Sequence, residues 1–244
     1  MKLTASGITR LKGVRTIKTV TCYDYQMACW LNETKLDAIL VGDTVGEIIY
    51  GFPNSTAVTM DMMLRHTEAV CRGAPDIHVI GDMPFKSYDS SDLAVKNGRA
   101  FLNAGADSIK LENPARDVLT ALATAKIPVC GHVGLTPQTI HNYKKQGTSP
   151  AAAQKIIDDS LIMQKYHCYA TILEALPSSL SQKITHKLKI PTIGIAAGTA
   201  CDGQIRVLYD ITGLTKIEKS FAPPIHQLGK TLKEAIQIYI DTSY

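Results

Sequence analysis

The feature that most restricts this chain is an alternation repeated along its length. A short apolar or β-branched run is followed by a longer stretch of helical character. Thr16–Cys22 is the first such run and Tyr25–Lys35 its helix; Asp37–Val41 is followed by Met60–Arg72, and Ile77–Ile80 by Ser91–Ala104. Ser108–Leu111 precedes Ala115–Lys126, Pro128–His132 precedes Ala151–Tyr166, and Ala170–Leu173 precedes Ser178–Leu188. Pro191–Ile195 and Ile205–Leu208 read as the seventh and eighth strands, and Gln227–Asp241 as a terminal helix. Strands that alternate with helices build right-handed βαβ units and a parallel sheet. Eight units within 244 residues predict one closed (β/α)8 TIM barrel spanning residues 1–244. An open doubly wound sheet is disfavoured, because neither a G-x-G-x-x-G nor a G-x-x-x-x-G-K-[ST] turn is present; Gly194–Gly198 has the wrong spacing.

Composition excludes several alternatives. The chain is 45% hydrophobic and 20% charged, which argues for a globular rather than a disordered protein. No apolar stretch approaches the ~20 residues of a membrane span, and Met1–Gly7 leads into no apolar signal core. A cytoplasmic protein without membrane contact is expected. The +4 charge, 26 Lys and Arg against 22 Asp and Glu, is dispersed, so no nucleic-acid surface is indicated. Six cysteines without a C-x-x-C pair predict reduced, mostly buried thiols.

Barrel enzymes carry their reactive groups at the carboxyl ends of the strands. Here the second strand ends in Gly42-Asp43-Thr44, the third in Gly81-Asp82 and the fourth in Lys110-Leu111-Glu112. His132 ends the fifth and Glu174 the sixth. Lys110 and Glu112, two apart, leave the same face of their strand. Acidic side chains gathered at one mouth repel unless neutralised. Asp43, Asp82 and Glu112 offer hard oxygens, a donor set suited to Mg²⁺. Such an ion can chelate a 2-oxo acid through carboxylate and ketone, polarise the ketone and stabilise an enolate. Glu174 is then the base for the proton beside the carbonyl. Each residue also has an ordinary explanation: Asp43 and Asp82 as helix caps or turn formers, Lys110 as a partner of Glu112, His132 as a hydrogen-bonded rim residue. Asp24 reads as the cap of the helix at Tyr25, Gly105 as a helix C-cap, and His66 and His78 as satisfied or solvent-facing histidines.

Longer strings at the same places carry a resemblance. Val41-Gly42-Asp43-Thr44-Val45-Gly46, Asp82-Met83-Pro84-Phe85, Ala104 to Glu112 and Gly131-His132-Val133-Gly134-Leu135-Thr136-Pro137-Gln138 occur in this order. Leu173-Glu174, Pro191–Ile195 and Asp202-Gly203-Gln204-Ile205 follow. The sequence resembles the ketopantoate hydroxymethyltransferase family over most of its length. That resemblance implies a barrel of the phosphoenolpyruvate/pyruvate type, assembled as a homodecamer. It implies transfer of a hydroxymethyl group from 5,10-methylenetetrahydrofolate to 3-methyl-2-oxobutanoate, giving 2-dehydropantoate for pantothenate synthesis. By position, Asp43 and Asp82 match magnesium ligands, with Glu112 a third, directly or through water. Asp43, Thr44, Asp82 and Lys110 match contacts to the oxo acid, and Glu174 matches the proton acceptor.

The sequence departs from the family at named places. Thr44 replaces the usual serine, Asn113-Pro114 replaces a glycine pair, and Ala196 replaces a glycine. The loop after Gln138 is shortened, and Ser220-Phe221-Ala222-Pro223-Pro224 differs from the usual C-terminal pattern. Two rival readings are a magnesium-dependent carbon–carbon or phosphorus–carbon lyase acting on a 2-oxo acid, and a catalytically silent oligomeric scaffold.

Overall fold

A computed structural model describes residues 2–140, 144–216, 219 and 222–242. Two compact units divide the chain, one through Ile205 and one from Arg206 onward. The first begins with a short helix α1 (Ala5–Thr9) and then alternates as β1 (Ile17–Thr21), α2 (Tyr25–Asn32), β2 (Ala38–Val41), α3 (Val45–Ile48), α4 (Met60–Gly73), β3 (His78–Asp82) and α5 (Ser91–Asn103). It continues through β4 (Ser108–Glu112), α6 (Arg116–Thr124), β5 (Val129–Gly134), α7 (Pro150–Lys165), β6 (Ala170–Glu174), α8 (Ser178–Lys187), β7 (Thr192–Ile195) and β8 (Gly203–Arg206). The strands form a closed barrel in sequence order, as the alternation predicts. The second unit holds α9 (Leu208–Thr212) and α10 (Leu228–Asp241). No helix among the described residues is long and apolar enough to cross a membrane.

Local chemistry starts the helices where the sequence marks them. The side chains of Asp24, Thr59, Ser90 and Ser149 each accept a backbone N–H from the first turn that follows, and Pro150 stands where its missing donor costs nothing. Gly105 follows α5 with φ +100°, the left-handed stop that glycine permits. Ile17, Ala38, Leu40, Ile80, Ile172 and Ile193 fill the barrel interior.

Several elements differ from the sequence reading, among them the short helices α1, α3 and α9 and the start of β8. Helix α1 was not expected, since five residues are too few to show a helical period. Ile8 from α1 is fully buried in the same core cluster as Ile17 and Ala38, so this helix closes the end of the barrel where the strands begin. His78, the first residue of β3, ties it there: Nδ1 lies 2.9 Å from Leu3 O and Nε2 2.8 Å from Ser108 Oγ. His78 is thus a satisfied core histidine, and the half-buried His66 is satisfied too, between Tyr23 O and the Tyr50 hydroxyl.

The eighth strand starts at Gly203, two residues before the apolar run that suggested it, and Leu208 begins α9 instead. The reason lies in the seam that closes the barrel. Ile17 N–H donates to Asp202 O at 2.9 Å, and a Cβ on Gly203 would meet Ile17 O at 2.7 Å. Only glycine lets the two backbones approach so closely. Gly203→Ala is expected to open this seam and lower stability by about 2 kcal/mol, read from urea unfolding. An unchanged midpoint would show that the seam relaxes freely.

All six cysteines are free, with Cys22, Cys130, Cys168 and Cys201 buried. Burial pushes the Cys22 and Cys71 thiols up to about 11, so they rest protonated and unreactive.

Candidate active site

Strand register turns the scattered polar residues into one row. Asp82 pairs with Lys110 across β3 and β4, and Glu112 pairs with His132 across β4 and β5. Gly134, two residues beyond His132, pairs with Glu174 on β6. Residues in register on parallel neighbours share a face, and so do residues two apart on one strand. Asp82, Lys110, Glu112, His132 and Glu174 therefore line a single face at the carboxyl end of the barrel. The loop after β2 adds Asp43, whose backbone N–H donates to Asp82 Oδ2 at 3.1 Å.

Lys110 is the hub. Its ammonium lies 3.0 Å from Asp82 Oδ2 and 3.1 Å from Glu112 Oε1, with both pairs buried. Burial alone would strip its proton, but the charges of Asp82, Glu112 and Asp43 outweigh that and hold its pKa well above the ordinary lysine value. Glu112 is held down to about 2: burial opposes its charge, and Lys110 and His132 prevail. His132 stands between two acids, with Nδ1 3.5 Å from Glu112 Oε1 and Nε2 3.2 Å from Glu174 Oε2. Neither ring nitrogen makes a directional hydrogen bond. Burial and Lys110 disfavour the imidazolium, while the flanking carboxylates win and raise its pKa to about 9.

Asp43 and Asp82 shift in the direction opposite to Glu112. Burial raises both, Asp82 well above the usual carboxylate range, and Lys110 compensates only in part. Asp82 Oδ1 is buried and has no hydrogen-bond partner, although Oδ2 accepts two. An orphaned carboxylate oxygen in such a place costs energy unless a proton or a cation meets it.

Formal charge points the same way. Asp43, Asp82, Glu112 and Glu174 oppose Lys110 and His132, four negative groups against two positive ones. Among the described residues, no three acidic, histidine or cysteine side chains converge as a finished metal cage. The physical reason is visible: the Lys110 ammonium and an amide from Gln138 stand between the acids. Two adjacent carboxylates with one open oxygen still fit a hard divalent cation, which commonly takes one or two protein carboxylates and fills its other positions with water or substrate oxygens. Glu112 has both oxygens engaged, by Lys110 and by Gln138 N–H, so a bridging water is its route to such an ion.

The ordinary roles considered for these residues give way in part. Asp43 caps no helix; Thr44 occupies the cap position of α3, and its hydroxyl meets the Tyr23 hydroxyl at 2.6 Å rather than capping. Lys110 does pair with Glu112, as one of its two ion pairs. Glu174, with a side chain 20% exposed, is the most open acid of the row.

Gln138 and Tyr88 escaped sequence reasoning as contributors to this site. Both lie on loops, where no periodicity predicts direction; the only signal was that Gln138 ends the string beginning at Gly131. Past it, residues 141–143 of the shortened loop lie outside the described residues, as do Ser220 and Phe221.

Two residues that the resemblance sets against glycine have left-handed backbone. Asn113 follows Glu112 with φ +40°, and Ala196 follows β7 with φ +50°. Ala175, directly after Glu174, has φ +51°. Left-handed alanines cost of order 1 kcal/mol each and persist where surrounding structure enforces them.

Fold and rim together define a (β/α)8-barrel enzyme with an oxygen-rich site at the carboxyl ends of its strands. Comparison with known proteins narrows this. The family model for ketopantoate hydroxymethyltransferase matches residues 2–243, and the chain belongs to that family. A 3-methyl-2-oxobutanoate hydroxymethyltransferase of Staphylothermus marinus is 37% identical, over 98% of this chain and 91% of that protein. The protein of the same description from Clostridium botulinum strain Loch Maree is 39% identical, over 98% of this chain and 90% of its own length. Among solved structures, 2,3-dimethylmalate lyase, a PEP mutase/isocitrate lyase superfamily member, superposes with TM-score 0.66 at 13% identity, covering 96% of this chain and 86% of that one. Phosphonopyruvate hydrolase in complex with oxalate and Mg++ superposes with TM-score 0.65 at 11% identity, covering 99% of both chains. At such identities these structures establish the shared fold alone, a closed (β/α)8 barrel.

Proposed function

We propose that the protein transfers a hydroxymethyl group from 5,10-methylenetetrahydrofolate to 3-methyl-2-oxobutanoate, giving 2-dehydropantoate, with Mg²⁺ at the rim. Membership of the family supports the reaction. The single observation that carries the site reading is the shared face of Asp82, Lys110, Glu112, His132 and Glu174, with Asp43 bonded to its first member. Asp43 and Asp82 would hold the cation, and Glu112 would reach it through water. When bound, the ion supplies positive charge that polarises a ketone oxygen and makes the neighbouring C–H more acidic. The Mg²⁺ and oxalate held by the phosphonopyruvate hydrolase structure are in keeping with an ion that grips two adjacent oxygens.

The remaining chemistry falls to this chain's residues. Lys110 and Thr44 bind and orient the oxo acid, Lys110 by charge and Thr44 through a hydroxyl already steered by Tyr23. Glu174 accepts the proton from C3. His132, 3.2 Å away, balances the charge of that carboxylate. The electron pair left at C3 forms the bond to the methylene carbon, and water supplies the hydroxyl oxygen. Both C–N bonds of that carbon to the folate break, and the proton from C3 and one from water pass to the two nitrogens as tetrahydrofolate departs.

A biosynthetic step of this kind belongs in the cytoplasm, and a homodecamer is the assembly we infer. Helix α10 exposes Leu232, Ile236, Tyr239 and Ile240, an apolar surface that association can bury. The direct test of function is product formation with donor and metal each present or omitted. 2-Dehydropantoate should form only when both are supplied; turnover without either would sink the proposal.

A further inference from the structure

Gln138 has been given no role in this site, yet it bonds two of its acids, Asp43 and Glu112. Its side-chain Nε2 donates to Asp43 Oδ2 at 2.9 Å and to Met83 O at 2.9 Å. Its backbone N–H donates to Glu112 Oε2 at 3.1 Å. Its Oε1 accepts the Tyr88 hydroxyl at 2.6 Å. The residue is 1% exposed, so none of these bonds is shared with bulk water.

The pattern leaves the amide one orientation. Two acceptors, a carboxylate and a carbonyl, require the NH₂ end, and a hydroxyl donor faces the oxygen. Tyr88 and the Met83 carbonyl thus hold the amide from its two ends, and the amide in turn holds Asp43. Four separate segments meet there: the loops after β2, β3 and β5, and the end of β4. Packing alone does not explain the arrangement, since an apolar side chain would fill the same space without aligning a carboxylate. Groups that hydrogen-bond to metal-binding carboxylates fix their orientation, and their removal typically weakens metal binding 10–100-fold.

We infer that Gln138, oriented by Tyr88, is a positioning residue that holds Asp43 and Glu112 in register for a divalent cation. This rests on the cation reading given above. Gln138→Met keeps much of the volume and removes both amide functions. Tyr88→Phe keeps the ring and removes a hydroxyl that donates to Gln138 Oε1 at 2.6 Å and lies 3.3 Å from the Glu112 carbonyl, which makes it the milder partner should the first variant fold poorly.

The measurement is the Mg²⁺ dissociation constant of the full chain without substrate, by isothermal titration calorimetry, beside the melting temperature of each protein. The inference predicts a constant raised at least 10-fold in Gln138→Met and severalfold in Tyr88→Phe, the latter with a melting temperature close to that of the wild type. Constants within twofold of the wild type in both variants would overturn the positioning role while leaving the cation site standing. A wild-type chain that binds no Mg²⁺ would overturn the cation reading and this inference with it.

Discussion

Glu174→Gln is expected to lower the rate of proton exchange at C3 of 3-methyl-2-oxobutanoate by about 10³-fold, some 4 kcal/mol of barrier, while leaving binding of the oxo acid nearly intact. The side chain ends β6 on the face shared with Glu112 and His132, and it is the most open of the acids there. Substituting the amide keeps its shape and removes its capacity to take a proton. The check is deuterium incorporation into the substrate in deuterated water, followed by proton NMR. Undiminished exchange in the variant would take Glu174 out of the role and leave His132 as the group to examine.

Asp43→Ala is expected to remove metal-dependent turnover altogether, a loss of 10³-fold or more on the scale of electrostatic transition-state stabilisation. Three effects converge on this substitution. A ligand oxygen is lost beside Asp82, the Gln138 amide loses an acceptor, and Lys110 loses one of the three negative charges that hold its proton. Asp43 is also buried, so no other solvent-borne group can take its place. Turnover assayed across a range of Mg²⁺ concentrations reads the outcome. Wild-type rates in a chelator-treated variant would end the metal hypothesis.

The row of rim residues was legible in the sequence because two regularities act together. Strand side chains alternate with period two, and barrel chemistry gathers at the carboxyl ends of strands, so Asp82, Lys110, Glu112, His132 and Glu174 could be placed before any coordinate was known. Asp43 was legible as the next polar residue beyond β2. What stayed hidden lies off the strands. Gln138 and Tyr88 reach the site from loops, where backbone direction is set by tertiary contacts rather than by period. Gly203 was passed over as a strand residue because glycine packs nothing, yet closure against Ile17 demands that absence. Short α1 has too few residues for a pattern, and its place is fixed by burial of Ile8 and by His78.

Sequence also could not foretell how the chain's own groups hold the acids together. Lys110 was read as a neighbour of Glu112; its simultaneous contact with Asp82 comes from the Asp82–Lys110 register, which no spacing within β4 reveals. That register explains why no complete cage of acids forms. The ammonium stands between Asp82 and Glu112, and Asp82 Oδ1 is left without a partner.

The account stands most directly on C3 exchange in wild-type protein, measured in deuterated water without folate, before and after removal of Mg²⁺. It predicts rapid deuterium uptake with the metal present, loss of uptake on chelation and recovery when Mg²⁺ is returned. Uptake that continues at full rate in metal-free protein would contradict it.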